Sequence, residues 1–188
     1  MATTKLMTAD DLMQIEDDGF LYELIRGELI RMSPAGGAHG WIGGEAAALI
    51  REFARPRGLG EVFNSDTGYL FEFDPDTVLA PDTSFIRADR LPPLSALGGY
   101  LTVVPDLVVE VASPSDRRGR IEEKVRQYLD AGVKLLWYVD PRRRTVVVYR
   151  PNTSPILVDE HGVLDGEDVL PGFRLLVAAL FRCLAADV

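Results

Sequence analysis

The stretch LVVEVA, Leu107 to Ala112, constrains the fold more than any other part of the chain. A short, β-branched apolar run of this kind is a strand near the middle of a sheet that is covered on both faces. Glu110 interrupts the run. An ionised carboxylate in such a strand costs several kcal/mol unless a cation or strong donors meet it. Two arrangements satisfy that requirement: a divalent metal shared with other carboxylates, or an ordinary ion pair with lysine or arginine.

A metal would need a second acid. Asp106 lies four residues from Glu110 on the same strand, about 13 Å away, which is too far to share one ion. The partner must come from another strand. Asp82 follows Pro81 and opens a predicted strand, Asp82 to Ile86, with a loop before Leu107 long enough to bring the two strands side by side. A proline-aspartate pair is also common in plain turns. Lys124 lies on a predicted helix whose buried stripe is Ile121, Val125, Tyr128 and Leu129. It falls about 60° from Ile121 and about 40° from Tyr128 on the helical wheel, at the edge of the stripe. There its ammonium can reach the end of the Glu110 strand, although lysines at such edges also snorkel to solvent. A lysine beside metal-bound carboxylates orients or deprotonates an attacking water and stabilises a pentavalent phosphate.

The remaining elements predict a mixed sheet with helices packed against it, an α/β arrangement. A Thr-x-x-Asp capping pattern opens a short helix over residues 8 to 17. Leu21 to Ile25 and Glu28 to Met32 flank Arg26-Gly27 as a hairpin. His39 to Phe53 spaces apolar residues as a helix ended by Gly58 to Gly60, and residues 67 to 73 alternate as a strand. Ser113-Pro114-Ser115-Asp116 offers a strand stop and a cap for the helix carrying Lys124, which Gly132 ends. Leu135 to Val139 and Thr145 to Tyr149 form a second hairpin, followed by a strand near Ile156 to Val158 and a short helix near Leu175 to Leu184.

With 188 residues, 47% of them hydrophobic, the expectation is a single domain over residues 1–188. The acidic N-terminal region lacks the pattern of an export signal, and Leu175 to Phe181 is too short to span a bilayer. A lone cysteine, Cys183, permits no intrachain disulfide, so a cytoplasmic location is expected. The formal charge of −9 argues against a broad basic face for nucleic acid. Only Arg117, Arg118 and Arg120, and then Arg142 to Arg144, group together as candidate phosphate contacts or as solvated turns.

Taken in order, YELIRGELIRMSP (22 to 34), His39, GEVFNSDTGYLFEFDPDTVLAPDTSFI (60 to 86), PDLVVEVASPSD (105 to 116) and EEKVRQYLDAGVKLLWYVDPRRRTVVVYRP (122 to 151) resemble the Uma-type putative restriction endonuclease family, over residues of about 8 to 175. That family belongs to the PD-(D/E)XK nuclease superfamily. The resemblance implies a restriction-endonuclease-like mixed β-sheet core flanked by helices, and Mg²⁺-dependent hydrolysis of phosphodiester bonds, with Mn²⁺ as a substitute and DNA as substrate. It places the metal at Asp82 and Glu110, with the Val111 carbonyl as a further ligand. Ala112 stands where the short superfamily motif has lysine, and the resemblance moves that role to Lys124. Glu23 is carried over as a further acid at the metal, with an exposed hairpin position as the alternative. His39 is carried over as a site-edge or phosphate-contacting group, with helix capping as the alternative. By analogy with many nucleases of the superfamily, a homodimer is expected. A module that keeps the fold and binds metal, nucleic acid or protein without catalysis is the second reading, motivated by the acidic charge.

Overall fold

The computed structural model describes residues 6–16, 18–32, 34–113 and 118–185, with the side chains of 118 and 183–185 outside the description. The predicted cap at 114–116, Arg117 and the side chains of Arg118 and Cys183 therefore lie outside the described residues.

β7 (Leu107–Val111) is buried along its whole length, as the apolar run requires. It lies inside a six-stranded sheet, between β6 (Thr83–Arg87), to which it is antiparallel, and β8 (Leu135–Asp140), to which it is parallel. β9 (Thr145–Tyr149) and β10 (Ile156–Val158) extend the sheet beyond β8, and β3 (Gly60–Asn64) closes it beyond β6. Successive β7 residues face opposite layers. Leu107, Val109 and Val111 pack under α2 (Gly37–Ala54) and the C-terminal segment with Leu170, Phe173 and Phe181. Val108 packs on the other side with Val125 and Tyr128 of α3 (Arg118–Asp130). Each fully buried Val or Leu contributes roughly 1.5–3 kcal/mol of hydrophobic stabilisation.

A second sheet of four strands has the order β2-β1-β5-β4. Its hairpin joins β1 (Leu21–Ile25) to β2 (Glu28–Met32) through Arg26 and Gly27, both at positive φ (51° and 77°), the twist that a two-residue hairpin turn demands. β4 (Tyr69–Glu72) pairs with β5 (Thr77–Leu79), which pairs with β1. α1 (Ala9–Met13) packs Ala9 and Leu12 against Leu24 of β1, and Thr8 and Asp11 form the predicted capping box. Only three residues, 80–82, connect β5 in the small sheet to β6 in the large one. This link joins an inner strand of the small sheet to an inner strand of the large one, beside β7.

Several boundaries differ from expectation. The first helix ends at Met13 instead of 17, and Asp82 is a bend ahead of β6. β3, β5, β11 (Val163–Asp165) and β12 (Arg174–Leu176) were not predicted; β5, β11 and β12 are three residues long, below the length at which alternation is legible. For β3, Gly60 reads as a helix stop, yet it is the first residue of the strand and packs against Phe85 and the Ile86 carbonyl with no room for a Cβ. The chain after β12 forms a 3₁₀ helix, Val177–Ala185, in place of the predicted helix from Leu175.

Candidate active site

Glu110 leaves β7 on the α3 side and is 8% exposed. Two side chains of α3 meet it. Lys124 Nζ lies 3.1 Å from Glu110 Oε1, and Tyr128 donates its hydroxyl proton to the same oxygen at 2.5 Å. Lys124 and Tyr128 stand four residues apart on the helix, so they share one face. The same ammonium lies 3.1 Å from Oε1 of Glu23, which β1 carries at 5% exposure. The Ala80 amide, in the link between the sheets, donates to that Glu23 oxygen at 3.1 Å.

Asp82 comes in from the same link. One step beyond the Thr83↔Val109 pair, it accepts a hydrogen bond from the Val111 amide at 2.7 Å. His39, on the first turn of α2, places Nε2 3.2 Å from the same Asp82 oxygen. Thr83 donates to the Gly43 carbonyl at 2.9 Å, tying α2 to β6 beside this contact. Four elements and one loop thus deliver Glu23, His39, Asp82, Glu110 and Lys124 to a single region.

The electrostatics are unbalanced. Burial pushes the Glu110 carboxyl up, the Lys124 charge pulls it down, and Asp82 and Glu23 push it up again, to about 7. Lys124 alone does not offset burial together with two neighbouring carboxylates. Burial disfavours the Lys124 ammonium, but Glu110, Glu23 and Asp82 outweigh it and hold the amine charged well above its ordinary value. Burial and the charge of Glu110 raise the Tyr128 phenol well above its usual range, so it remains a neutral donor. Among the described residues, three carboxylates therefore crowd the Lys124 ammonium, with His39 beside Asp82, and acidic groups outnumber basic ones.

That excess of acidic groups, with an all-oxygen donor set, fits a hard divalent cation. Among the described residues no three His, Cys, Asp or Glu donors are already drawn together as a metal-ligand group. Mg²⁺ does not need such a cage, since it keeps several waters and takes one or two carboxylates together with substrate phosphate. Asp82 and Glu110 are the pair that could serve it.

The remaining sequence expectations divide clearly. Glu23 is buried, not exposed in its hairpin. His39 is not the helix cap, because Gly36 occupies that position and makes no side-chain cap bond. Asp106 takes no part in the site and is neutralised by Arg90 and Lys134. Arg144 pairs with Glu160 and lies over the Phe181 ring, a structural use, while Arg120, Arg142 and Arg143 are exposed. Tyr128 is the participant that sequence reasoning missed, because its apolar ring fits the buried stripe; its spacing of four from Lys124 is the signal that places it here. Among the described residues no helix is long and apolar enough to cross a membrane.

The crystal structure of a putative nuclease belonging to DUF820 from Anabaena variabilis ATCC 29413 superposes with a TM-score of 0.82, at 22% identity, over 93% of this chain and 97% of that one, which establishes a shared fold. No curated protein matches the chain in sequence. The family profile described as Uma2, putative restriction endonuclease, matches residues 9–178, and the chain belongs to that family.

Proposed function

We propose that the protein is a divalent-metal-dependent endonuclease that hydrolyses DNA phosphodiester bonds. The observation that carries this reading is the convergence of Glu23 and Glu110 on Lys124, beside an Asp82 held by the Val111 amide. Asp82 and Glu110 are the residues to hold Mg²⁺ or Mn²⁺, with the Val111 carbonyl at the end of β7 as a further oxygen ligand. A bound divalent cation supplies Lewis-acid polarisation of a phosphoryl oxygen.

The protein's own groups account for the rest. Glu110, Glu23 and Asp82 raise the Lys124 amine, so that its ammonium can orient water and stabilise negative charge developing on the phosphate. Tyr128 fixes one oxygen of Glu110, leaving the other for a ligand. Glu23 and the Ala80 amide hold the lysine in place from the opposite sheet. His39 positions Asp82 and lies at the edge of the site, where it can contact phosphate. The family's description as a putative restriction endonuclease, and that of the Anabaena protein as a putative nuclease, support the reaction class.

The test is incubation of purified protein with plasmid DNA and Mg²⁺ or Mn²⁺. We expect cleavage by the natural sequence and its loss in Asp82→Ala and Lys124→Ala. Cleavage that survives both substitutions unchanged overturns the assignment. The net charge of −9 favours a second reading, a fold-retaining module without catalysis. Metal binding measured by calorimetry with no hydrolysis of DNA or RNA would select it.

A further inference from the structure

We propose that Arg120 on α3 and Arg142 on the turn between β8 and β9 hold backbone phosphates of DNA that neighbour the phosphate lying at Asp82 and Glu110. The inference rests on the reaction proposed above for its substrate, and it adds the groups that grip that substrate. The topology brings both arginines to the site. β7 and β8 run parallel with Glu110 opposite Tyr138, and α3 is the crossover between them. The first turn of α3 and the turn after β8 therefore both lie at the carboxyl ends of these strands, where the Val111 amide meets Asp82 and where open sheets of this kind take their ligands.

Arg120 stands four residues before Lys124, and Lys124 four before Tyr128, so the three share one helix face. They form a ladder. Tyr128 donates to Glu110, Lys124 lies between Glu110 and Glu23, and Arg120 is exposed about 6 Å further along the helix, toward its N-terminus. Glu123 is three residues from Arg120, yet among the described residues no ion pair occupies the Arg120 guanidinium.

The turn after β8 uses its three arginines differently. The Asp140 carboxylate accepts the Arg142 and Arg143 amides at 2.9 and 3.1 Å, which fixes the turn. Arg144, at φ 53°, reaches back to Glu160 and the Phe181 ring, and Arg143 lies 3.7 Å from Asp140. Arg142 is exposed, and among the described residues its guanidinium has no ion-pair partner. Asp140 is two residues past the strand partner of Glu110 and one strand over, about 8 Å between Cα atoms, so a long side chain from this turn reaches the approach to the site. At a net charge of −9 the chain as a whole repels a phosphate backbone, and uncommitted cations beside the site offset that repulsion locally.

Fluorescence anisotropy of a labelled duplex oligonucleotide with the full chain in EDTA reads binding without cleavage. Arg120→Ala and Arg142→Ala should each weaken binding by about fivefold, alike for two unrelated duplex sequences, and each should lower the slope of log Kd against log salt by about 1. Arg120→Lys should keep the slope, because the charge remains. Arg126→Ala removes an exposed arginine about 200° around α3 from Lys124 and should change neither quantity. Circular dichroism melts check that each variant folds. A natural sequence that binds no duplex even at low salt, Arg120 and Arg142 variants that bind as it does, or an Arg126→Ala variant that loses as much would each overturn the proposal. Cleavage by the natural sequence with indifferent arginine variants would sink this inference alone. Arginine-dependent binding without cleavage in Mg²⁺ or Mn²⁺ would sink the proposed reaction and leave these contacts standing.

Discussion

The two ends of the β7 strand bury carboxylates in opposite ways. Asp106, just ahead of the strand, is 0% exposed and has two cations, Arg90 Nη1 at 2.6 Å and Lys134 Nζ at 2.8 Å, with the Arg87 amide donating at 3.0 Å. Burial opposes its ionisation, yet the Lys134 hydrogen bond, the Arg87 amide and Arg90 together hold it below the usual carboxylate range. At the other end, Glu110 and Glu23 share one ammonium, Asp82 lies near, and the Glu110 carboxyl is raised. One end is complete within the chain. The other is crowded with acids, and in the function proposed above a bound cation balances them; burial alone does not distinguish the two ends.

The largest expected effect comes from removing the cation at the unbalanced end. Lys124→Met leaves Glu23 and Glu110 buried without a counter-charge, and at pH 8 it should destabilise the protein by about 3–5 kcal/mol in urea unfolding. A loss below about 1 kcal/mol would mean the lysine is a surface charge. Next in size, Asp106→Asn should cost about 2 kcal/mol while leaving the cleavage rate per folded molecule unchanged. Reduced cleavage by a fully folded Asp106→Asn would erase the distinction between the two ends. Glu110→Gln sharpens the comparison from the other side. Its urea midpoint at pH 8 should equal or exceed that of the natural sequence, while metal affinity measured by calorimetry falls by about tenfold or more.

The pH dependence separates the two ends by sign and not by size. The lowered pKa of Asp106 gives stability that is present above its ordinary value of 3.8 and is lost as pH falls through the folded value. Glu110 keeps its proton in the folded protein up to about 7 while the unfolded chain releases it at about 4.5. In that window the unfolded state binds fewer protons, so stability should fall as pH rises from about 4.5 to 7 and stay level above it. Urea unfolding of the metal-free protein across this range tests the sign. The same decline in Glu110→Gln would assign it to another group.

Much of the site was legible because it rests on local patterns. Glu110 is conspicuous as the acid in an otherwise apolar strand, and Lys124 is placed by its angle to the buried stripe. Asp106 is excluded as a metal partner by the rise of a strand. Glu23 was ambiguous for a physical reason: which side of a hairpin is buried depends on what packs on it, and here that is α3, about a hundred residues away in the chain. His39 was ambiguous because capping and side-chain contact begin from the same position on a helix. Of the three-residue strands, Ile156–Val158 was expected as an apolar run, whereas β5, β11 and β12 were missed because so few residues carry no periodicity.

By itself the sequence determined that β7 would be a buried central strand, that its glutamate would need a positive partner, and that α3 would present Lys124 at the edge of its buried face. These follow from periodicity and from the cost of burying charge, both local properties. Only the tertiary structure decided that two sheets, joined by three residues, would bring Glu23 and Asp82 to that glutamate together. The balance of charge at the site is a sum over residues distant in sequence, and no local pattern contains it.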